Sequence, residues 1–463
     1  PFSDGPGPET KKAKGGGSID MRQNTRVMAG AVLAVTALSG CMQDMGEGTV
    51  SRFLSAQPDA RADISGETKT AAPKAEAVQD VSPVIAELAA RQSVLTPGSP
   101  YAEVAAGVLA ADARVAEAEL QVAQLRAEAA SKNWWPTISP RVSLTSLGDL
   151  VADLVINQVL FDNGRKKAER DLAKADVELA AVALSESSND RVYDGLVLFL
   201  QAEEGRAAAD LYGQALKDMS HFEWVMNERV KGGVSDFSDL NVLKQKLADL
   251  RARDAAAREK TTRAVAELNA MSAVSLAGQR GLRGMGSTPS DQSLDVLRAK
   301  VERDRQLAQA KIARAAHLPG LSAGGSLRNG GEGLSLSAST EQMLGIGTGA
   351  SLQAIEATKI TADRKVTEAE DISRRAIEAD QRTIAALKRQ AAEAEGLTSQ
   401  AKTNLDLFQR QYDAGTRQVM DVVSVYETFL RALEKQLDLK FQAARAELDA
   451  AKRLGVLADG AKI

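Results

Sequence analysis

One stretch of the sequence constrains the fold more than any other. Residues 164–229 contain no proline and no obvious break in helical spacing, which allows a helix of 66 residues. Such a helix would be roughly 100 Å long at about 1.5 Å per residue. Because a globular fold cannot bury a single helix of this length, the rest of the chain must supply other long helices that pack along it.

The long stretch ends at a turn that the chain makes twice. The motif around Gly233 and Asp239 recurs 182 residues later, around Gly415 and Asp421. A glycine readily takes the left-handed conformation that ends a helix, and Thr416 is placed to cap the helix that follows. We interpret both turns as tips of helical hairpins, and the repeat as an internal duplication of the chain.

Composition favours one large repeated unit over two or three ordinary domains. Aromatic residues make up only 4% of the 463 residues, and Ala, Leu, Glu, Lys, Arg and Gln dominate long tracts, as is typical of helices in coiled-coil contact. The net charge of −4 comes from 58 basic and 62 acidic residues that are interspersed. This distribution gives no footprint for nucleic acid.

Few residues are suited to metal or redox chemistry. The chain has one cysteine and two histidines, and the histidines lie in separate halves. A disulfide within the chain is therefore excluded, and a His/Cys metal site is not expected. Since no carboxylate stands beside a nucleophile in an apolar setting, we predict that the protein is not an enzyme and needs no cofactor.

The N-terminal region has the pattern of a secreted lipoprotein. We treat residues 1–20 as an unstructured extension, and in residues 21–40 basic residues precede a short apolar run, as in a signal peptide. The run ends with Leu-Ser-Gly before Cys41, which resembles the bacterial lipobox and predicts lipidation of Cys41. A secretory signal with an incidental cysteine is the alternative. Residues 41–98 would then be the lipidated N terminus and an extended linker.

A β-hairpin is predicted between two helical regions. Helical spacing predicts one helix over residues 101–131, which stops before Pro136. Period-two alternation follows, and after Gly148 a second strand-like run covers residues 150–161. In the second half, Pro319 opens a Gly-rich hairpin whose exit lacks a clear end signal.

The same plan of helix, hairpin, long helix and return helix defines the predicted domains. The first structural repeat covers residues 99–275 and the second covers residues 291–456. An inter-repeat segment at 276–290 separates them, and residues 457–463 form a C-terminal tail.

The alternating strands have the character of a membrane barrel wall. Strands of about 10 residues with one apolar and one polar face suit a closed barrel, since a bilayer requires every backbone group to be paired. Four strands per chain can close only with other chains. Trp134 and Trp135, at the junction of helix and strand, are placed for an aromatic belt at the membrane surface; the alternative is that they pack in a soluble core.

Two motifs carry a resemblance to a known family. Leu-Phe-Asp-Asn-Gly-Arg at residues 160–165 follows the first hairpin, and Tyr-Asp-Ala-Gly-Thr-Arg at 412–417 precedes Asp421. With the repeated plan, which covers about residues 99–456, the chain resembles the TolC-type outer-membrane factors. These are exit ducts of tripartite efflux pumps and type I secretion systems.

The resemblance implies a fold, an assembly and partners. The fold class is mainly α with membrane β-barrel strands: three chains share a 12-stranded β-barrel, and their coiled helices continue it as a trimeric α-barrel in the periplasm. The implied partners are a periplasmic adaptor protein and an inner-membrane transporter of the RND or ABC type, which would supply the energy. The protein itself would be lipid-anchored in the outer membrane and passive.

The resemblance also implies which residues close the periplasmic end, like an iris. Family positions that link the helical hairpins fall here on Arg417 with Asp239, and on Tyr412 with Ser238. An Arg–carboxylate link in a narrow, partly desolvated tip is a plausible latch; a solvated surface pair is the alternative.

A ring of aspartates narrows the entrance in the family. Asp421 matches the first of two such aspartates, while Ser424 occupies the position of the second. The substitution predicts fewer negative charges at the entrance of this chain.

A second class of protein would share the helical hairpins. A periplasmic coiled-coil adaptor or scaffold lipoprotein needs long helices but also lipoyl-like and barrel-like β segments between them, and the sequence shows none. Within the duct class, drug efflux and protein export stay open because that choice depends on the partner.

Overall fold

The computed structural model describes residues 82–460 except 113, 145–149, 287–291, 329–330 and 344. Cys41, the predicted signal peptide and most of the predicted linker lie outside the described residues. The described residues belong to one unit, Val78–Ile463.

Within these ranges the chain forms eight helices and four strands. The first repeat region contains α1 (Pro83–Ala90), α2 (Pro100–Ala110), α3 (Val115–Ser131), β1 (Thr137–Leu144), β2 (Leu150–Phe161), α4 (Arg165–Lys231) and α5 (Phe237–Ala270). The second contains α6 (Leu294–Ala316), β3 (Gly320–Arg328), β4 (Gly331–Ser339), α7 (Thr348–Asp413) and α8 (Val419–Leu454). None of the described helices carries an apolar stretch long enough to cross a membrane.

The two long helices organise the packing, as the uninterrupted stretch predicts. Helix α4 has 67 residues and α7 has 66. Helix α4 packs against α5 and α6, and α7 packs against α6 and α8, while α8 also contacts α4. The order of helix, hairpin, long helix and return helix occurs twice, as expected; that the halves arose by duplication stays a prediction.

Two expectations for the N-terminal part are wrong. The predicted helix over 101–131 is two helices, because Arg114 takes a left-handed conformation with φ 50° between α2 and α3. The last part of the predicted linker is also not extended. Helix α1 forms at 83–90 because Pro83 opens it, and Leu88 is only 1% exposed against the helices.

The motif at residues 160–165 forms the connection between β2 and α4. Asp162 accepts hydrogen bonds from the backbone N–H groups of Gly164 (3.1 Å) and Lys166 (2.5 Å), which satisfies donors at the start of α4. Asn163 takes a φ of 54° and donates from its amide to the carbonyl of Pro319 at 2.9 Å. The motif thus ends β2, starts α4 and ties the two hairpins together.

The four strands form one antiparallel sheet in the order β1-β2-β3-β4. The pairings Ile138 with Ile156 and Gly325 with Leu334 place apolar residues on one face across all four strands. The other face carries small polar residues together with Val155 and Val159 of β2, and the hydroxyls of Ser322 and Ser337 lie 2.9 Å apart on it. Strands β1 and β4 each keep one edge unpaired within the chain.

Three separate segments pack together beside the middle of the long helices: the segment before α2, the inter-repeat segment and the segment after α8. Leu95 forms a bridge with Met285, and the N–H of Val94 donates to the carbonyl of Val456 at 2.9 Å. Leu457 is 1% exposed in the same apolar cluster. The tail therefore begins inside the core.

Candidate functional site at the helical tips

Both helical hairpins turn on glycines in the left-handed conformation. Gly233 has φ 69° and Gly415 has φ 76°. A Cβ added at either position would meet no atom within 4 Å. The backbone conformation, and not a lack of space, therefore favours glycine at both tips.

The first tip is followed by a capped helix. Asp236 precedes α5, and its carboxylate accepts from the N–H of Ser238 at 3.1 Å. This hydrogen bond lowers the pKa of Asp236 below its usual value. Because the pKa is lowered in the folded chain, the cap is present above the usual carboxyl range and is lost only as pH falls through the lowered pKa.

The second tip is capped by different residues from those expected. Thr416 does not cap α8; its hydroxyl donates to the carbonyl of Gln411 at 2.9 Å. Helix α8 starts instead with a capping box, in which Asp421 accepts from the N–H of Gln418 at 3.2 Å. The hydroxyl of Thr416 is therefore not available to cap α8, because it bonds to the end of α7. The carboxylate assigned to the entrance ring thus also holds the helix start.

The structure places the predicted latch residues at the same end of the chain without joining them. Arg417 is exposed, donates from Nε to the side chain of Gln411 at 3.0 Å and lies 4.5 Å from the ring centre of Phe408. Asp239 is half-buried, with no hydrogen bond or ion pair among the described residues. The link between Arg417 and Asp239 therefore stays a prediction.

The other predicted gate residues are also unlinked within one chain. Tyr412 is half-buried beside the tip core, while Ser238 and Ser424 are exposed. In the described part of the chain, Tyr412 and Ser238 make no hydrogen bond to each other. The pairing of these two residues likewise stays a prediction.

The two tips share one apolar core. Its fully buried members include Leu243 of α5 and Val422 and Val423 of α8, each 0% exposed. The cluster draws on α4, α5, α7 and α8 through the following residues: Ala215, Met219, Phe222, Met226, Leu240, Leu243, Leu247, Leu250, Leu405, Val419, Val422, Val423, Tyr426 and Leu430. Any movement of one hairpin against the other must shear this core.

A buried tyrosine links the second hairpin to the first. The hydroxyl of Tyr426 donates to Oδ2 of Asp218 on α4 at 2.8 Å. The Tyr426 ring is 6% exposed and packs edge-on against Phe222 at 6.1 Å between ring centres. Burial, and then the Asp218 carboxylate, raise the pKa of Tyr426, so the hydroxyl keeps its proton at physiological pH. Sequence reasoning missed this link.

A ladder of ion pairs joins the return helices α5 and α8. Lys246 pairs with Glu427, and Nη1 of Arg253 lies 3.0 Å from Oε1 of Glu434. The cations are seven residues apart on α5, and the glutamates are seven apart on α8. This heptad spacing places successive residues on one helix face, and it is the sequence signal that could have identified the ladder.

The ladder continues toward the middle of the chain on α4. Nζ of Lys260 lies 2.9 Å from Oε1 of Glu204, and Arg445 of α8 pairs with the same carboxylate. The side chains of these pairs are 21–39% exposed, so each pair is worth about 1 kcal/mol or less. As a set, they fix the register of α5 and α8 on α4.

An open groove of about 430 Å³ lies between α5 and α8 at the level of the ladder. Its floor includes Met219 of α4, and its walls carry Lys246, Arg253, Glu427 and Glu434. At this level the two return helices are thus joined by long side chains across a gap.

The predicted belt residues lie at the opposite end of the helices. Trp134 and Trp135 are 42% and 74% exposed between α3 and β1. With Phe161 they line an open cleft of about 620 Å³ that also contains Lys167 and Arg170. Their exposure is what a belt requires, but their contact with a membrane stays a prediction.

Comparisons with known proteins reveal relatives only at the level of structure. No protein-family model matches the sequence, and no curated protein matches it. A membrane protein from Pseudomonas aeruginosa superposes with a TM-score of 0.67 at 15% identity, over 78% of this chain and 94% of that one.

Two outer-membrane channels superpose similarly. The open state of the MtrE outer membrane channel of Neisseria gonorrhoeae gives a TM-score of 0.65 at 15% identity, over 85% of this chain and 98% of that one. The CmeC outer membrane channel of Campylobacter jejuni gives 0.63 at 14% identity, over 78% and 88%. The chain therefore has the TolC-like outer-membrane factor fold, which confirms the expected fold class of long helices with a four-stranded sheet.

Proposed function

We propose that three copies of this chain form an outer-membrane channel, the exit duct of a tripartite efflux pump or a type I secretion system. One observation carries the proposal: an antiparallel sheet with one mainly apolar face and two edges unpaired within the chain stands at the end of the long helices. The shared fold with outer-membrane channels supports it.

The unpaired edges are the reason for an assembly. Open strand edges leave backbone donors and acceptors without partners, which is prohibitive in a bilayer. Joining β1 of one copy to β4 of the next closes the sheet, and three copies give 12 strands. The helices beside these edges have exposed apolar residues that a neighbouring copy would cover, Val115 and Leu125 on α3 and Ile360 and Ile372 on α7.

The gate belongs at the helical tips. The hairpin α7–α8 meets the hairpin α4–α5 through the tip core, the Tyr426–Asp218 bond and the ion-pair ladder. Sliding one hairpin past the other widens the tunnel like an iris. Because Arg417 and Asp239 do not meet within one chain, we assign their link to neighbouring copies.

The remaining parts of the proposal rest on the sequence and on the fold. Cys41 anchors the mature protein by a lipid, and most of the chain stands in the periplasm. Transport is passive, driven by an inner-membrane transporter that reaches the tips through a periplasmic adaptor protein. The structures that share the fold include outer-membrane channels, in line with a duct.

The assembly is tested by extracting the protein from outer membranes with detergent and measuring its native mass. We expect particles of three chains that require detergent to stay dispersed. A cysteine pair at Ser139 of β1 and Ser337 of β4 should cross-link copies into a trimer. A monomer that stays soluble without detergent would contradict the proposal and favour a scaffold.

A further inference from the structure

An open cleft with an aromatic wall lies where the sheet meets the helices. The wall is formed by the exposed side chains of Trp134 and Trp135 and by Phe161 at the end of β2. Lys167 and Arg170 of α4 line the same cleft. Apolar rings and two cations therefore border one opening, beside the end of the strands.

The strand register shows on which face of the sheet this cleft lies. Phe161 pairs with Leu321 of β3, which pairs with Ala338 of β4. On β4, Ala338 alternates onto the same face as Leu334 and Leu336, which are both exposed. Since the apolar face of a closed barrel meets lipid, Phe161 places the cleft on the lipid side of the proposed channel.

Hydrogen bonds fix the aromatic wall from two sides. The side-chain amide of Asn133 donates to the carbonyl of Lys166 and to the carboxylate of Glu169, each at 3.0 Å, which ties the tryptophan turn to α4. Gln158 of β2 donates to the carbonyl of Trp134 at 2.9 Å, which ties the same turn to the sheet. The cleft is thus formed without a ligand, so little ordering opposes binding.

The four cations in the first two turns of α4 differ in their partners. Arg165 and Lys166 both pair with Glu169. The side chains of Lys167 and Arg170, the two that line the cleft, make no ion pair or hydrogen bond to the described residues. They are three residues apart on one helix face, with Cβ atoms about 5–6 Å apart, so a single phosphate can reach both.

The acidic groups near the cleft do not neutralise these cations. Asp162 lines the cleft, but its two carboxylate oxygens accept backbone N–H groups at the start of α4. Asp171 follows Arg170 in the sequence and is not among the residues that line the cleft. The cleft therefore complements a group that is anionic at one end and apolar at the other.

From this arrangement we propose that the cleft binds an anionic phospholipid, with the phosphate at Lys167 and Arg170 and an acyl chain along the aromatic wall. The inference rests on the proposed channel, which places the cleft at the periplasmic boundary of the outer membrane. Lys and Arg bind phosphate through charge-assisted hydrogen bonds, and tryptophan rings favour the boundary between lipid and water. The bound lipid fixes the depth of the junction in the bilayer.

The test is tryptophan quenching of the full-length protein in phosphatidylcholine vesicles that contain either brominated phosphatidylglycerol or brominated phosphatidylcholine. Trp224→Phe removes the third tryptophan of the chain, which lies in α4 near the tips, so the signal comes from the cleft. We expect the anionic lipid to bind at least about fivefold more tightly than the zwitterionic one. This preference should weaken in 1 M KCl, because the Debye length falls to about 3 Å.

Two double variants show where the preference arises. Lys167→Gln with Arg170→Gln should abolish the preference for the anionic lipid while leaving quenching by the zwitterionic lipid. Arg364→Gln with Lys365→Gln is the matched control, because it removes two positive charges from exposed positions of α7 outside the cleft. It should leave the preference unchanged. The same preference in the cleft variant as in the wild type would overturn the site.

The outcomes separate the lipid site from the channel itself. Equal quenching by the two lipids, in vesicles whose protein gives conductance steps, would overturn the site and leave the channel intact. Protein that does not float with the vesicles in a density gradient would contradict the proposed function and the lipid site together.

Discussion

At the scale of single residues, the tip is held by Tyr426 more directly than by the residues that the resemblance points to. Its hydroxyl bridges 208 residues of sequence to the partly buried Asp218, while its ring is buried in the tip core. Arg417, by contrast, bonds only to Gln411 on the preceding helix, and Tyr412 packs beside the tip core without a side-chain hydrogen bond among the described residues. A bond between a buried hydroxyl and a carboxylate is worth more than an exposed pair.

Tyr426→Phe tests this link while keeping the ring in the core. Losing a hydrogen bond to a charged group costs about 1.5–3 kcal/mol, so α8 should detach from α4 more easily and the channel should spend more time open in a planar bilayer. Tyr193→Phe is the matched control: its hydroxyl donates to Asp449 of α8 at 2.6 Å at an exposed site beside the other apolar cluster, far from the tip. Equal open times in both variants would contradict the assignment to Tyr426.

The tip glycines give a prediction of stability. Gly415→Ala forces a side chain into the left-handed region and should cost about 1–2 kcal/mol. Gly396→Ala, at an exposed site inside α7 with free space for a Cβ, should instead gain about 0.5–1 kcal/mol. The half-time of thermal unfolding should therefore shorten in the first variant and lengthen in the second. A loss in both would show that space, not backbone conformation, limits these sites.

Sequence reasoning was partly successful at this scale for a physical reason. Glycines at 233 and 415 indicate the left-handed backbone conformation, which few other residues adopt. Both turns were therefore predictable. The cap of α8 was not, since Gln418 is a weak cap on its own and depends on Asp421 three residues later. Tyr426 was missed because its partner comes from a different helix.

At the scale of elements, long helices were easier to predict than short ones. Helices α4 and α7 lack proline for more than 60 residues, and little but helix is compatible with such a stretch. The division between α2 and α3 depends on Arg114, whose left-handed conformation no composition rule signals. Helix α1 was missed because its apolar residues are few and its stability comes from packing on α4.

The ladder between α5 and α8 gives a prediction at this scale. Lys246→Glu with Arg253→Glu places like charges opposite Glu427 and Glu434, so α5 and α8 should separate and their amide hydrogens should exchange faster. Adding Glu427→Lys and Glu434→Lys swaps the charges and should restore slow exchange. In 1 M KCl, where the Debye length is about 3 Å, the variants should converge. Failure of the swap to restore exchange would show that side-chain packing, not charge, joins the helices.

At the scale of the whole molecule, the sheet explains why one chain is incomplete. Its apolar face and its two free edges satisfy no requirement of a soluble monomer, but they suit a barrel of several copies. The sequence indicated the alternation of each strand. It could not indicate the pairing of β2 with β3, which joins the two halves and depends on the chain beyond either hairpin.

The latch between copies is tested at this scale. Arg417→Ser with Asp239→Ala should raise the resting conductance without dissociating the trimer, because an Arg–carboxylate link between copies would be lost while the tip core remains. A reversed pair, Arg417→Asp with Asp239→Arg, should return the conductance toward the wild-type value. If the first variant conducts like the wild type, the two residues do not form the gate.

The central claim is that this chain builds a pore through a membrane, and single-channel recording tests it most directly. Purified trimer, added to a planar bilayer alone and with the Tyr426→Phe or latch substitutions, should give discrete conductance steps that are more frequent or larger in the variants. Absence of steps from intact trimers of all these proteins would contradict the account and leave the helices and sheet as parts of a scaffold.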